Sequence, residues 1–200
     1  MSQRSAKLVA TAADVEGLPR AGAPEIAFLG RSNAGKSSLL NRLAGRRELA
    51  RVSATPGKTR LLHFYEVSRG ARRLLLVDLP GYGFARVSKA ERAQWRQLVE
   101  GYLDGRAALA GAVLLQDLRR DVSDDERDLL AWLAERGIPA LVALTKCDKL
   151  APMRRAARAR ELAGSFDLPA ERVIATSAHS KLGIDGLWKA IDSLLQRERC

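Results

Sequence analysis

The sequence predicts an α/β domain with a mostly parallel, mixed sheet covered by helices on both faces. Three observations carry this expectation. Short apolar runs of strand length alternate with segments whose apolar residues recur at helical spacing. Alternation of this kind marks strands joined by helical crossovers, which bury both faces of a sheet. The 200 residues, 46% of them hydrophobic, suffice for one sizeable core. Residues 1–24 are expected as an arm or edge strand of a single domain spanning 25–200.

The first segment is polar and punctuated by Gly17, Pro19, Gly22 and Pro24, with an edge strand expected near residues 8–11. A short apolar strand follows at 25–29, then a helix at 35–44 and a basic loop at 46–60 containing Pro56 and Gly57. Residues 61–67 and 72–77 read as two strands of a hairpin turning around Gly70. After a glycine-rich loop, 88–104 reads as a helix opened by a Ser88/Glu91 capping box. Its Trp95, Leu98, Val99, Tyr102 and Leu103 share one face, the pattern of core packing. A strand at 112–116 precedes a second boxed helix, begun by Ser123 and Glu126 and ended at Gly137. A buried strand at 139–144, an arginine-rich helix at 151–165 and a strand at 172–175 follow. Ile184, Leu187, Trp188, Ile191, Leu194 and Leu195 stripe the last helix.

Composition narrows the function classes. A disordered or fibrous chain is excluded, and no apolar run approaches the roughly 20 residues that a membrane helix needs. The longest runs, 107–115 and 138–144, have strand or core-helix length. Arg4 and Lys7 are followed by no sustained apolar stretch before Asp14 and Glu16, so no secretory signal is expected. Cys147 and Cys200 give neither a disulfide framework nor metal-ligand spacing, which points to a reducing cytoplasm. The net charge is +11. Residues 1–100 hold 18 basic and 8 acidic side chains, a balance of +10, against 16 and 15, or +1, in residues 101–200. Such asymmetry favours a polyanionic partner, nucleic acid before membrane.

The motifs fix the chemistry further. The first apolar strand runs into Gly30, Arg31, Ser32, Asn33, Ala34, Gly35, Lys36, Ser37 and Ser38, and then into a helix. This is a phosphate-binding loop in its strand–loop–helix setting. Its backbone N–H groups and the helix N-terminus meet phosphate oxygens, Lys36 reaches the β- and γ-phosphates, and the Ser37 hydroxyl ligates Mg²⁺. A second strand ends in Asp78, Leu79, Pro80 and Gly81. A carboxylate there suits Mg²⁺ through water, and Gly81 can offer its N–H to a γ-phosphate. A third strand ends in Thr145, Lys146, Cys147 and Asp148. Asp148 can accept both the N1–H and the N2 amino group of guanine, which adenine cannot offer together, while the Lys146 stem lies along the base. Thr176, Ser177 and Ala178 follow the next strand, where backbone N–H groups can meet the guanine carbonyl. In the loop at 46–60, Thr55 and Thr59 are both candidates to complete the Mg²⁺ shell and sense the γ-phosphate.

At these residues the chain resembles the EngB (YihA/YsxC) family of bacterial small GTPases, over nearly its whole length. Leu18-Pro19, then Pro24 to Phe28 leading into the phosphate loop, resemble the family's N-terminal signature. Thr55-Pro56-Gly57-Lys58-Thr59 resembles its first switch, which points to Thr59 as the Mg²⁺ ligand beside Ser37, with Asp78 acting through water. Asp78-Leu79-Pro80-Gly81-Tyr82-Gly83 resembles its second switch, and Asp117 with Arg119 falls on its Asp-x-Arg. The resemblance adds Gly57, Lys58, Arg60 and Leu61 to the nucleotide-binding set and makes Lys36, Thr59 and Gly81 the groups expected to carry hydrolysis. It implies a P-loop GTPase G domain that binds GTP and GDP with Mg²⁺. It also implies a monomeric cytoplasmic switch in assembly of the large ribosomal subunit and its rRNA, needed for normal division and septation.

Several residues qualify that picture. Thr145 stands where many GTPases have asparagine, so an amide that braces the loop is expected to be lost. Tyr82 and Gly83 follow Gly81 where many GTPases place a water-orienting glutamine, so slow intrinsic hydrolysis is expected. Asn33 resembles the asparagine of potassium-stimulated GTPases; either it helps to hold K⁺ or it shapes the loop. His63 and His179 are expected in packing or surface roles, Cys147 as a small filler, and Cys200 as a terminal residue without a partner. Arg42, Arg46, Arg47, Arg51, Lys58 and Arg60 form a basic stretch opposed only by Glu48, suited to ribosomal RNA. The rival to the assembly switch is a nucleotide-dependent adaptor for division machinery in which turnover is secondary. A P-loop kinase or ATPase is disfavoured by Asp148.

Overall fold

The computed structural model of the chain describes residues 4–50, 61–70, 72–82 and 89–197. Seven strands form one mixed sheet: β1 (Arg4–Ala12), β2 (Glu25–Gly30), β3 (Leu62–Arg69), β4 (Arg72–Asp78), β5 (Leu109–Asp117), β6 (Ala140–Thr145) and β7 (Val173–Ala175). Their spatial order is β1-β3-β4-β2-β5-β6-β7. β1 and β4 both run antiparallel to β3, and β4, β2, β5, β6 and β7 run parallel to one another. The helices are α1 (Lys36–Ala44), α2 (Lys89–Leu103), α3 (Asp124–Glu135), α4 (Pro152–Ala163) and α5 (Ile184–Arg197).

Strand periodicity divides the core in two. Ile26 and Phe28 of β2 face α1 and α5, packing with Leu39, Leu43, Trp188 and Ile191. Ala27 and Leu29 face the other way, toward Leu98 and Tyr102 of α2 and Leu133 of α3. β2 is buried along its whole length, as a central parallel strand must be. No helix among the described residues is long and apolar enough to cross a membrane.

The expected elements are present, with some differences of extent. The first strand runs over Arg4–Ala12 rather than four residues, because β3 supplies a hydrogen-bonded partner along its length that its polar sequence did not advertise. β5 begins at Leu109 rather than 112. Gly111 lies inside the strand, where a Cβ would come within 2.7 Å of both Leu194 Cδ1 and Pro139 O, so only glycine fits this close approach. The helix expected to reach 165 ends at Ala163, and two short 3₁₀ turns, Cys147–Lys149 and Ala170–Arg172, were not foreseen. The boxed start of α3 is as expected: Ser123 and Glu126 cap each other's backbone. The Ser88/Glu91 box of α2 lies outside the described residues.

Candidate functional site

The strands that carry the motifs lie side by side, so their C-terminal ends open on one edge of the sheet, where ligands of parallel α/β sheets bind. β2 delivers the phosphate loop, β4 delivers Asp78, and β6 delivers the base motif. Gly35 takes a left-handed conformation (φ 95°) just before α1, and Asn33 does the same at φ 65°. That curl leaves Lys36 and Ser37 on the first turn of the helix. Lys36 Nζ is ion-paired with Asp78 Oδ1, and both side chains are largely buried. The two groups expected to face phosphate and Mg²⁺ are therefore in contact with each other.

The second motif is locked to the first through backbone. Leu79 N donates to Phe28 O at 3.1 Å, Tyr82 N to Gly30 O at 3.4 Å, and Ser32 N to Tyr82 O at 3.2 Å. Gly81 lies against this seam; a Cβ there would come within 3.3 Å of Gly30 O and of Ser32 N, closer than most side chains tolerate. Trp95 Nε1 donates to Pro80 O at 2.9 Å, and its ring meets that of Tyr82 edge to face at 6.2 Å.

The base end is joined to the phosphate loop by side chains. Lys146, itself left-handed at φ 58°, donates from Nζ to Asn33 O at 2.6 Å and pairs with Asp117 Oδ2 at 3.0 Å. Asp117 also takes Arg119 in a two-pronged contact of 2.9 and 2.7 Å. Burial works to raise the Asp117 carboxyl, but the hydrogen bonds from Arg119 and Lys146 prevail and hold it well below the usual carboxylate range. Asp148 accepts a 2.6 Å hydrogen bond from Ser177 Oγ, which lowers its pKa. Thr176 and Ser177 are fully buried, and Cys147 N donates to Thr176 O at 3.2 Å, which ties the two base loops together through backbone. Between them and α1 lies a cavity of about 150 Å³ lined by Gly35, Ser38, Lys146, Asp148 and Ala178.

One expectation needs correction. Thr145 does not leave the loop unbraced. Its hydroxyl donates to Ala34 O at 2.6 Å, with Gln116 O a more distant acceptor at 3.2 Å. The buried hydroxyl is short enough to reach the phosphate loop directly, and it does the bracing that an amide was expected to supply.

Other residues acquire contacts that sequence reading missed. Glu126, read only as half of a capping box, is 1% exposed and also accepts the Tyr82 hydroxyl at 3.2 Å. Burial, then the Glu126 charge, push the Tyr82 phenol far up, so it stays protonated as a donor. Arg31 reaches the same corner, with Nη1 3.2 Å from Ser123 Oγ and 3.6 Å from Asp125. His63 stacks on Tyr65 and pairs in register with Asp78 across β3 and β4, and burial lowers its pKa. His179 is exposed, and Cys147 is a buried free thiol raised chiefly by burial. Leu61 is half-buried just before β3. Thr55, Gly57, Lys58, Thr59, Arg60, Gly83 and Cys200 lie outside the described residues, so the choice between Thr55 and Thr59 rests on sequence.

Comparison with known proteins follows the same residues. A family model described as "50S ribosome-binding GTPase" matches residues 25–146, from the first residue of β2 to Lys146. A probable GTP-binding protein EngB of Gemmatimonas aurantiaca is 49% identical over 172 residues, covering 86% of this chain and 83% of that one. The EngB protein of Geobacter sulfurreducens is 44% identical over 191 residues, covering 96% of this chain and 91% of its own length. The crystal structure of a probable GTP-binding protein engB superposes with a TM-score of 0.66 at 27% identity, covering 86% of this chain and 99% of that one.

Proposed function

The chain belongs to the EngB family of GTP-binding proteins, and from that premise we propose that it binds GTP and GDP with Mg²⁺, hydrolyses GTP slowly, and acts as a monomeric cytoplasmic switch in assembly of the large ribosomal subunit, with consequences for division and septation. The observation that carries this reading is the junction of phosphate loop and base loops: Lys146 on Asn33, Thr145 on Ala34, and Asp148 beside Ser177. Such a junction supports binding of one ligand with a phosphate tail and a guanine head.

Each residue then has a task. Backbone N–H groups of residues 31–37 wrap the phosphates, and Lys36 leaves Asp78 for the β- and γ-phosphates. Asp148 accepts from the guanine N1–H and amino group, with the Ser177 hydroxyl fixing its orientation. The donor set suits Mg²⁺, since the Ser37 hydroxyl and the Asp78 carboxylate are both hard oxygens. No group of three or more His, Cys, Asp or Glu among the described residues could hold a metal by itself. That pattern fits a magnesium site completed by nucleotide phosphates and water rather than by an all-protein cage. Ser37 and Thr59 would ligate the ion, with Asp78 through water, and the ion would neutralise charge on the β- and γ-phosphates. Gly81 would turn its N–H to the γ-phosphate, and Thr59 would sense the same group. The Tyr82 hydroxyl is taken up by Glu126, which supports a low intrinsic rate. Asn33 is a candidate to hold K⁺; equal hydrolysis rates in potassium and sodium at fixed ionic strength would remove that role.

The experiment is co-sedimentation with purified large ribosomal subunits in GDP and in a non-hydrolysable GTP analogue. Tighter binding in one state is expected. Equal binding in both would reject the switch, and no binding in either would reject the ribosomal partner.

A further inference from the structure

Beside the nucleotide cavity lies a larger cleft, of about 560 Å³, between the end of α1 and the loop after β7. Its walls include Arg42, Arg46, Arg47, His179 and Lys181, and no carboxylate among the described residues lines it. The basic residues come from segments 136 positions apart, joined where Arg42 Nε donates to Ala178 O at 2.5 Å. Arg46, Arg47 and Lys181 are exposed, and no ion pair is made by any of them among the described residues.

The cleft is built rather than fortuitous. α1 ends in paired closing bonds, Gly45 N to Arg42 O at 3.2 Å and Arg46 N to Asn41 O at 3.0 Å, which turn the chain sharply after the helix. The Asn41 side chain then holds the returning chain by both its groups: Nδ2 donates to Ala50 O at 2.8 Å, and Ala50 N donates to Oδ1 at 2.6 Å. Asn41 is 6% exposed, so an amide is spent in the core to fix this turn. Arg46 and Arg47 therefore project from a pinned loop. On the opposite wall Lys181 sits in a left-handed conformation (φ 67°), and its neighbour Ser180 N is held by Ser177 Oγ at 3.0 Å. Glu48 follows Arg47 in the same turn but is not part of the lining, so the cations of the concavity outnumber it and repel one another, and a polyanion relieves that repulsion.

We propose that this cleft takes the sugar–phosphate backbone of a folded RNA, with Arg46, Arg47 and Lys181 as its phosphate contacts. The inference rests on the ribosomal reading for its class of partner and adds where that partner docks, including a C-terminal wall that the basic first half of the sequence did not indicate. Ser38, Ala178 and His179 line both this cleft and the nucleotide cavity, which places the RNA against walls the nucleotide also touches.

The test uses the full chain, loaded with GDP, and two triple variants of equal charge change: Arg46→Ala/Arg47→Ala/Lys181→Ala in the cleft, and Arg154→Ala/Arg160→Ala/Lys189→Ala on α4 and α5. All three control positions are exposed. Binding of a fluorescent GDP verifies that each variant is folded. Affinity for a 20-nucleotide RNA hairpin, and separately for large ribosomal subunits, is read across a salt series. The cleft variant is expected to lose at least about tenfold in hairpin affinity and about 2–3 from the log–log salt slope, one counterion-release contribution per phosphate contact, while the control retains the parent's values. Equal loss in both variants, no loss in the cleft variant, or a parent that does not bind the hairpin overturns the proposal. Displacement of the hairpin by polyglutamate of equal charge also overturns it, assigning the cleft to an acidic protein segment. A parent that binds the hairpin through the cleft but not the large subunit keeps the cleft and rejects the ribosomal reading.

Discussion

The central strand β2 carries a buried charge network at each end, and the two are built on opposite terms. At its N-terminal end Glu25, fully buried, is gripped by Arg106 in a two-pronged contact of 3.0 and 2.7 Å and by the Tyr102 hydroxyl at 2.9 Å. Every partner there is a side chain of the protein itself. At the other end the phosphate loop opens, and Lys36 pairs with Asp78 while Asp148 is held by Ser177. These partners hold charges that a nucleotide and its Mg²⁺ would claim. Both ends obey the requirement that buried charge be compensated. One satisfies it permanently with fixed pairs, and the other provisionally with pairs a ligand can exchange. Stability and ligand response are thereby assigned to opposite edges of one sheet.

That contrast can be broken from either end. The largest effect is expected from Arg106→Ala, which strands Glu25 without its cation; removing one partner of a buried pair costs about 3–5 kcal/mol. Denaturant unfolding should show that loss, with fluorescent-GDP affinity of the folded fraction unchanged. A comparable loss of nucleotide affinity would mean the two ends are not separate. Next in size is Lys36→Ala, expected to cost roughly 1.5–3 kcal/mol in binding of both GDP and GTP, the range for a hydrogen bond to a charged group. Titration of each nucleotide should give similar losses, since the contacted phosphate is common to both. Thr145→Ala is expected to cost about 1 kcal/mol of stability and to loosen the phosphate loop, because Ala34 O loses its donor. Thr145→Ser should restore most of it in thermal melts, and failure of the serine rescue would show that packing rather than the hydroxyl is responsible. The smallest change is expected from Tyr82→Phe, which removes the hydroxyl on Glu126 at the cost of about 0.5–1 kcal/mol. Its GTP hydrolysis rate should equal the parent's, and a lower rate would give the phenol a part in the chemistry.

The two networks were not equally legible in the sequence. The candidate nucleotide end could be proposed from the sequence because phosphate and guanine demand particular residues at fixed short spacings: Gly30, Gly35, Lys36 and Ser37 in one strand–loop–helix segment, and Lys146 two positions before Asp148. Alternating apolar runs likewise located the strands and helices. The Glu25 network could not be read, since its members lie 77 and 81 positions apart and only the parallel placement of β2 beside β5 brings them together. Thr145 was misjudged for a related reason. Its type suggested a lost amide, while the acceptor it reaches, Ala34, stands 111 residues away. Glu126 shows a third limit: one local motif accounted for the residue, and its second partner, Tyr82, was hidden behind it.

A C-terminal end of β2 suited to guanine nucleotides must select the base as well as the phosphates. Competition against a bound fluorescent GDP by unlabelled GTP, ATP and XTP, for the parent and for Asp148→Asn, tests it most directly. GTP should outcompete ATP by about 10⁴ in the parent, the discrimination available to a site built on buried hydrogen bonds, and Asp148→Asn should move the preference toward XTP, whose ring carries an oxygen in place of the amino group. Equal competition by ATP and GTP in the parent would contradict it.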